Sequence, residues 1–213
     1  MPQFYKSRLP VLASRWFDRA KAALLGELPC RKGCYQCCFG PFAVTVRDIA
    51  ELQLGLAEMD PARRDTMQEL ARRHIAAIEA RYPRLAESPW LDDWPDAEID
   101  RLAAEFAELP CPALQPDGSC GVYPFRPVTC RMMGIPVEEG ETVHGACAVQ
   151  TFVPVLRLSR SLRQEEEHLA RQEADELDRL RRDRRISGEE VLLPYGFLPD
   201  RAPETLRGHL DRA

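Results

Sequence analysis

Apolar residues recur at helical spacing in five stretches of the chain, and each stretch ends at a proline, a capping residue or a cysteine-rich segment. From Leu9 to Leu28, Leu12, Trp16, Ala20, Ala23 and Leu24 line one side while Arg15, Asp18, Arg19 and Lys21 occupy the other, which predicts an amphipathic helix. A short extended stretch is expected at Phe42-Ala43-Val44-Thr45-Val46, after which Thr45 or Asp48 can cap a helix to about Met59. Asp60-Pro61 is an N-cap followed by proline where its missing N–H is harmless; Met67, Leu70, Ala71, His74, Ile75 and Ile78 then mark a helix face ending near Arg81. Pro83, Pro89 and Pro95 make 83–95 a loop, anchored by Trp90 and Trp94. Asp96 can cap a helix through Ile99, Leu102, Ala103 and Phe106, which Pro110 ends. Leu162, Leu169, Leu177 and Leu180, set among dense Glu and Arg from Leu158 to Arg185, predict a long helix with a narrow apolar stripe.

Eight cysteines interrupt this helical pattern in two groups of four: Cys30, Cys34, Cys37 and Cys38, then Cys111, Cys120, Cys130 and Cys147. Free cysteine used for packing is scattered, so this clustering points to metal or disulfides. Pro10, Arg15, Asp18, Arg19 and Lys21 break every apolar run that could serve as a signal peptide, and no run approaches the ~20 residues a bilayer demands. The expectation is a cytoplasmic protein with reduced thiols, which favours metal, and no membrane partner. A chain of 213 residues can bury a core without metal everywhere, so the metal is local. The net charge of -5 gives no general attraction for nucleic acid, and Arg179, Arg181, Arg182, Arg184 and Arg185 read as cations complementing a helix C-terminus. The expected fold is mainly α with an irregular cysteine-rich metal-binding centre and few short strands. It is divided into an N-terminal helix (1–29), a cysteine-cluster domain (30–150) and a C-terminal long helix with its tail (151–213).

In an unbroken helix the first four cysteines would form one stripe, but its ends would lie ~12 Å apart at 1.5 Å per residue, too far for sulfurs ~2.3 Å from one zinc. Pro29 and Gly33 supply a bend, and the neighbours Cys37 and Cys38 suit an iron-sulfur cluster or two adjacent metals better than one ion. The Cys30-x3-Cys34-x2-Cys37 spacing also occurs in radical S-adenosylmethionine enzymes, but the alternating βα pattern of their barrel is missing after Cys38. The second group leaves 8, 9 and 16 residues between its cysteines, in Pro- and Gly-rich sequence expected to form turns and short strands, with Pro116-Asp117-Gly118-Ser119 the tightest turn. Neither group closes a site convincingly alone, so metal is expected to join them.

Eight thiolates would carry a formal charge of -8, of which two zinc ions offset half. Arg126, Arg131, Arg31 and Lys32 can supply counter-charge and hydrogen bonds to sulfur. Tyr123, beside a turn, is expected to cover core. His144 is a candidate further ligand, Met132 and Met133 read as packing, His74 as structural and His168 as solvated. Glu166 and Glu173 lack the Glu-x-x-His partner of a di-iron site, and no Gly-rich nucleotide loop, Gly-x-Ser-x-Gly elbow or His-Glu-x-x-His helix is present.

The Cys-x3-Cys-x2-Cys-Cys block, the following Val44-Thr45-Val46-Arg47-Asp48, and then Cys111-Pro112-Ala113-Leu114, Asp117-Gly118-Ser119-Cys120-Gly121-Val122-Tyr123 and Arg126-Pro127-Val128-Thr129-Cys130-Arg131 follow one another in an ordered series. This series resembles the YkgJ-like cysteine-cluster family of CxxCxxCC type, described as zinc- or iron-chelating. The family's first gap is two residues and here it is three, which bears on Cys30; Cys147 resembles the family's last cysteine. A related branch includes flagellin lysine methylases, but none of their methyl-donor residues carries over. Two functions are implied. One is a binding module whose thiolates hold zinc or an iron-sulfur cluster while its surface recruits a protein partner. The other is an iron-sulfur redox or group-transfer enzyme, methylase-like activity included.

Overall fold

A computed structural model describes residues 7–24, 33–135, 137–139, 142–144 and 158–201. Among these the chain is mainly helical, as expected: α1 (Leu9–Ala23), α2 (Val46–Ala57), α3 (Pro61–Arg81), α4 (Arg84–Glu87), α5 (Asp96–Glu105), α6 (Val128–Met132) and α7 (Arg160–Arg184). The short strands β1 (Ala43–Thr45), β2 (Val137–Glu139), β3 (Thr142–His144) and β4 (Glu190–Leu192) pair antiparallel as β1 with β4 and β2 with β3. Two compact units result, one from the described residues up to Cys37 with those of Val128–Asp175, the other from Cys38–Pro127 with those from Glu176 onward.

In the first unit α1 buries Leu9, Ala13, Trp16, Ala20 and Leu24 against Val128, Ile135, Leu158, Leu162 and Leu169. The expected face is corrected by part of a turn: Leu12 sits at its margin and Ala23 is exposed, because Ala13 and Leu9 continue the Trp16–Ala20–Leu24 row. Trp16 Nε1 donates to the Leu162 carbonyl at 2.9 Å, tying α1 to the start of α7. Arg131 of α6 donates to Ser14 Oγ at 2.9 Å. Met132 packs on this core.

In the second unit β1 leads into α2, whose first turn is capped by Thr45 accepting from the Asp48 N–H at 3.3 Å. Asp60 caps α3 as expected, accepting from the Arg63 N–H at 3.2 Å. For α5 the cap expectation is corrected: Pro95 holds the N-cap position and Asp96 is the first helical residue, with no side-chain cap. A single turn, α4, interrupts the expected loop, and Trp94 is buried there. The core joins Ile49, Leu52 and Leu56 of α2, Ala71, Ile75 and Ile78 of α3, Leu102 of α5, and Leu193, Tyr195 and Phe197 from a 3-10 turn after β4. Gly55 of α2 lies against Phe125, and a Cβ there would collide with the ring, so glycine permits this contact. The contact fixes the turn that carries Tyr123 and Arg126.

Two consequences can be measured. Arg185 follows α7 with φ +53, and the Ile186 N–H returns to the Arg181 carbonyl at 3.2 Å, the left-handed helix end that glycine favours. Arg185→Gly is expected to raise stability by about 1 kcal/mol, read from denaturant midpoints. His74 is buried on α3, and burial, with Arg73 nearby, pushes its pKa below the ordinary value of 6.5. The folded state therefore binds fewer protons than the unfolded one, so this contribution is intact above about pH 6.5 and is lost as the pH falls toward the lowered value. Between pH 7 and 5 the Tm of the wild type should fall more than that of His74→Leu; parallel pH profiles would refute the neutral buried imidazole.

Candidate metal centre

The first cysteine group does not continue as a helix. Gly33 has φ +85, and Gln36–Cys38 form one 3-10 turn, so the elongated thiol stripe is broken at the expected bend. The chain then runs beside the entry to the second group. The Cys111 N–H donates to the Cys38 carbonyl at 2.7 Å and the Gly40 N–H to the Leu109 carbonyl at 2.8 Å, flanking an antiparallel bridge between Phe39 and Pro110. The backbone of Cys38, from the first cysteine group, is thereby joined to that of Cys111, from the second. Gly40, with φ +79, turns the chain away immediately afterwards.

Cys111 opens a tight hairpin. The Gly121 N–H donates to the Ala113 carbonyl at 2.7 Å, the Gln115 N–H to the Ser119 carbonyl at 2.9 Å, and the Gly118 N–H closes a β-turn on the Gln115 carbonyl at 2.9 Å. Pro116 stands at the second turn position and Gly118, φ +78, takes the left-handed conformation that lets the strand return. Asp117 Oδ1 accepts from the Ser119 N–H at 2.9 Å and from its hydroxyl at 2.6 Å. The expected tightest turn is thus the hairpin tip, one residue earlier than its predicted start, and Cys120 bridges to Leu114 at the base.

The Leu114 N–H donates to the Cys111 carbonyl at 2.9 Å, closing a turn directly after the cysteine. Burial pushes the pKa of the Cys111 thiol up to about 12; the neighbouring Cys120 adds to the rise, while the backbone N–H groups of Ala113 and Leu114 and the Arg126 guanidinium oppose it. A divalent cation would supply the opposite charge, since a thiol coordinates after losing its proton. The thiols of Cys111 and Cys120 on one hairpin, with Cys38 joined to it through the backbone, are the soft donors that a thiophilic metal takes.

The remaining candidates are distributed as follows. Cys34, Cys37 and Cys130 fall in the first unit, and all six described cysteines are thiols rather than disulfides. Cys30 and Cys147, with Arg31 and Lys32, lie outside the described residues, and His144 ends β3. Among the described residues no three His, Cys, Asp or Glu side chains stand close enough to grip an ion as they are. His74 lies within the helical core and His168 is exposed, in keeping with their structural and solvated readings. Tyr123 corrects the sequence expectation: it is 62% exposed, because the 3-10 turn Tyr123–Phe125 directs Phe125 onto α2 and leaves Tyr123 outside. The Arg126 guanidinium lies 5.3 Å from the centre of the Tyr123 ring. The backbone hydrogen bond that joins Cys111 to Cys38 was beyond sequence reasoning.

Residues 29–148 match the model of the CxxCxxCC family, described as "Putative zinc- or iron-chelating domain". The chain belongs to this family. Comparison with curated proteins and with solved structures finds no match. The CxxCxxCC region takes in all eight cysteines, and in the second unit it includes β1, α2 to α5 and the Cys111 hairpin. No described helix is long and apolar enough to cross a membrane.

Proposed function

We propose that this chain is a metal-holding protein whose clustered thiolates bind zinc or an iron-sulfur cluster, with Cys30, Cys34, Cys37, Cys38, Cys111, Cys120, Cys130 and Cys147 as the ligand set. The observation that carries the reading is the Cys111 hairpin: the Cys111 backbone N–H donates to the Cys38 carbonyl at 2.7 Å, and Cys120 stands on the returning arm of the same hairpin. Pairing Cys38 with Cys111 also supports the expectation that metal joins the two sequence groups. Zinc bound there would supply structural closure, and an iron-sulfur cluster would supply one-electron chemistry. The compartment proposed is the cytoplasm, where the thiols stay reduced, and a protein partner is the proposed recipient of the module's surface.

The test is elemental analysis with visible absorption of protein purified without oxygen. A colourless sample with zinc establishes the binding module. A brown sample with iron and acid-labile sulfide turns the reading to the alternative, a redox or group-transfer enzyme with methylase-like activity among its forms. Protein that takes up neither metal refutes both.

A further inference from the structure

We propose that residues 189–198 form a strap that sets the position of Cys38 and so governs how tightly the metal centre holds its ion. The inference rests on the thiolate centre proposed above, and the strap lies outside the residues 29–148 that the family model matches. Phe42 is four positions after Cys38, and its carbonyl accepts from the Leu193 N–H at 2.9 Å. From there β1 runs along β4 in the register Ala43↔Leu192, Val44↔Val191 and Thr45↔Glu190. The Val46 N–H, which opens α2, donates to the Glu189 carbonyl at 2.8 Å. Among the described residues β4 is the strand that pairs with β1. Two such short strands do not hold together alone in water, so the strap has to be fastened elsewhere as well.

It is fastened along its other edge and at its far end. The Asp92 carboxylate accepts from the Glu189 N–H at 2.7 Å and from the Glu190 N–H at 3.3 Å, and the Leu91 N–H donates to the Glu190 carbonyl at 3.0 Å. Beyond β4, Gln53 of α2 donates to the Gly196 carbonyl, and the buried Tyr195 hydroxyl donates to Glu79 of α3 at 2.9 Å. Cys38 therefore sits on a short tether between two fixed points: its own carbonyl, bonded to Cys111, and Phe42, bonded to the strap. When the strap loosens, the tether gains freedom, and a thiol that must be ordered again on binding holds its ion less tightly. By linkage, a bound ion fastens the strap by the same factor.

The experiment measures the zinc affinity of the full-length protein by competition with a coloured chelator, alongside the denaturant stability of its zinc-free and zinc-loaded forms. Asp92→Ala cuts the fastening at an exposed site and is expected to weaken zinc binding about five- to tenfold. Asp92→Asn, whose amide oxygen still accepts, should stay close to the wild type. Tyr195→Phe removes the hydroxyl bond to Glu79 and should weaken binding in the same direction. The control is Tyr82→Ala: Tyr82 packs against Trp94 and Phe106 of the same core, so stability should fall while zinc affinity holds. An Asp92→Ala protein that loses equal stability with and without zinc, and binds zinc like the wild type, overturns the inference. So does a Tyr82→Ala protein that loses as much affinity as Asp92→Ala. Should Tyr195→Phe fail to fold, the two Asp92 variants decide alone. A wild-type protein that binds no zinc removes the centre itself, an outcome distinct from a zinc-loaded protein indifferent to Asp92.

Discussion

Cys111→Ser is expected to lose bound metal more completely than any change outside the cysteines. The serine oxygen is a poor ligand for a soft cation. If a structural zinc site is worth about 10–16 kcal/mol over four ligands, one thiolate accounts for ~2.5–4 kcal/mol, or on the order of 10²–10³ in affinity. Cys38→Ser should behave alike, because the backbone ladder survives the substitution while its sulfur does not. Metal per chain, measured by mass spectrometry under native conditions after dialysis against a weak chelator, reads the effect. Full stoichiometry in both variants would remove this pair from the centre.

The second large effect lies away from the metal. Trp16 is buried in the first unit and hydrogen-bonded to the Leu162 carbonyl, so Trp16→Ala deletes the largest side chain of that core and leaves a cavity between α1 and α7. The expected cost is about 3–5 kcal/mol, a large share of the ~5–15 kcal/mol that holds a domain folded. Val11 lies on the exposed side of the same helix, and Val11→Ala should change stability by no more than about 0.5 kcal/mol. Denaturant unfolding of the two variants gives the comparison. Equal midpoints would mean that α1 does not pack through its Trp16 face.

Local chemistry made the long helices readable. Asp60-Pro61 marks the start of α3, and its Met67–Ile78 face repeats often enough to survive one marginal member, Leu70. The bend at Gly33 and the turn at Pro116–Gly118 were legible for a similar reason, since glycine and proline restrict the backbone within a few residues. The strand β4 and the buried 3-10 turn after it were not read from the sequence. Three residues are too few to display a two-residue period, and Leu193, Tyr195 and Phe197 are buried through contacts with α2 and α3, which lie more than a hundred residues earlier. The site divides in the same way. Its residue types were visible, whereas the pairing of Cys38 with Cys111 depends on α2 to α5 folding between them. The reading of Tyr123 failed because phase within a 3-10 turn decides which of two neighbouring aromatics faces inward, and Phe125 took that place.

The ladder between Cys38 and Cys111 also imposes an order on the birth of the protein. About 70 residues separate the two cysteines, so at ~5–20 residues per second a ribosome delivers Cys111 roughly 4–14 s after Cys38. During that interval the early thiols have no partner from the second group, and the helices that will bring the groups together are still being made. Metal loading on the nascent chain would therefore trail synthesis, and an oxidant or a mismatched ion arriving in those seconds meets Cys34, Cys37 and Cys38 before their final neighbours exist.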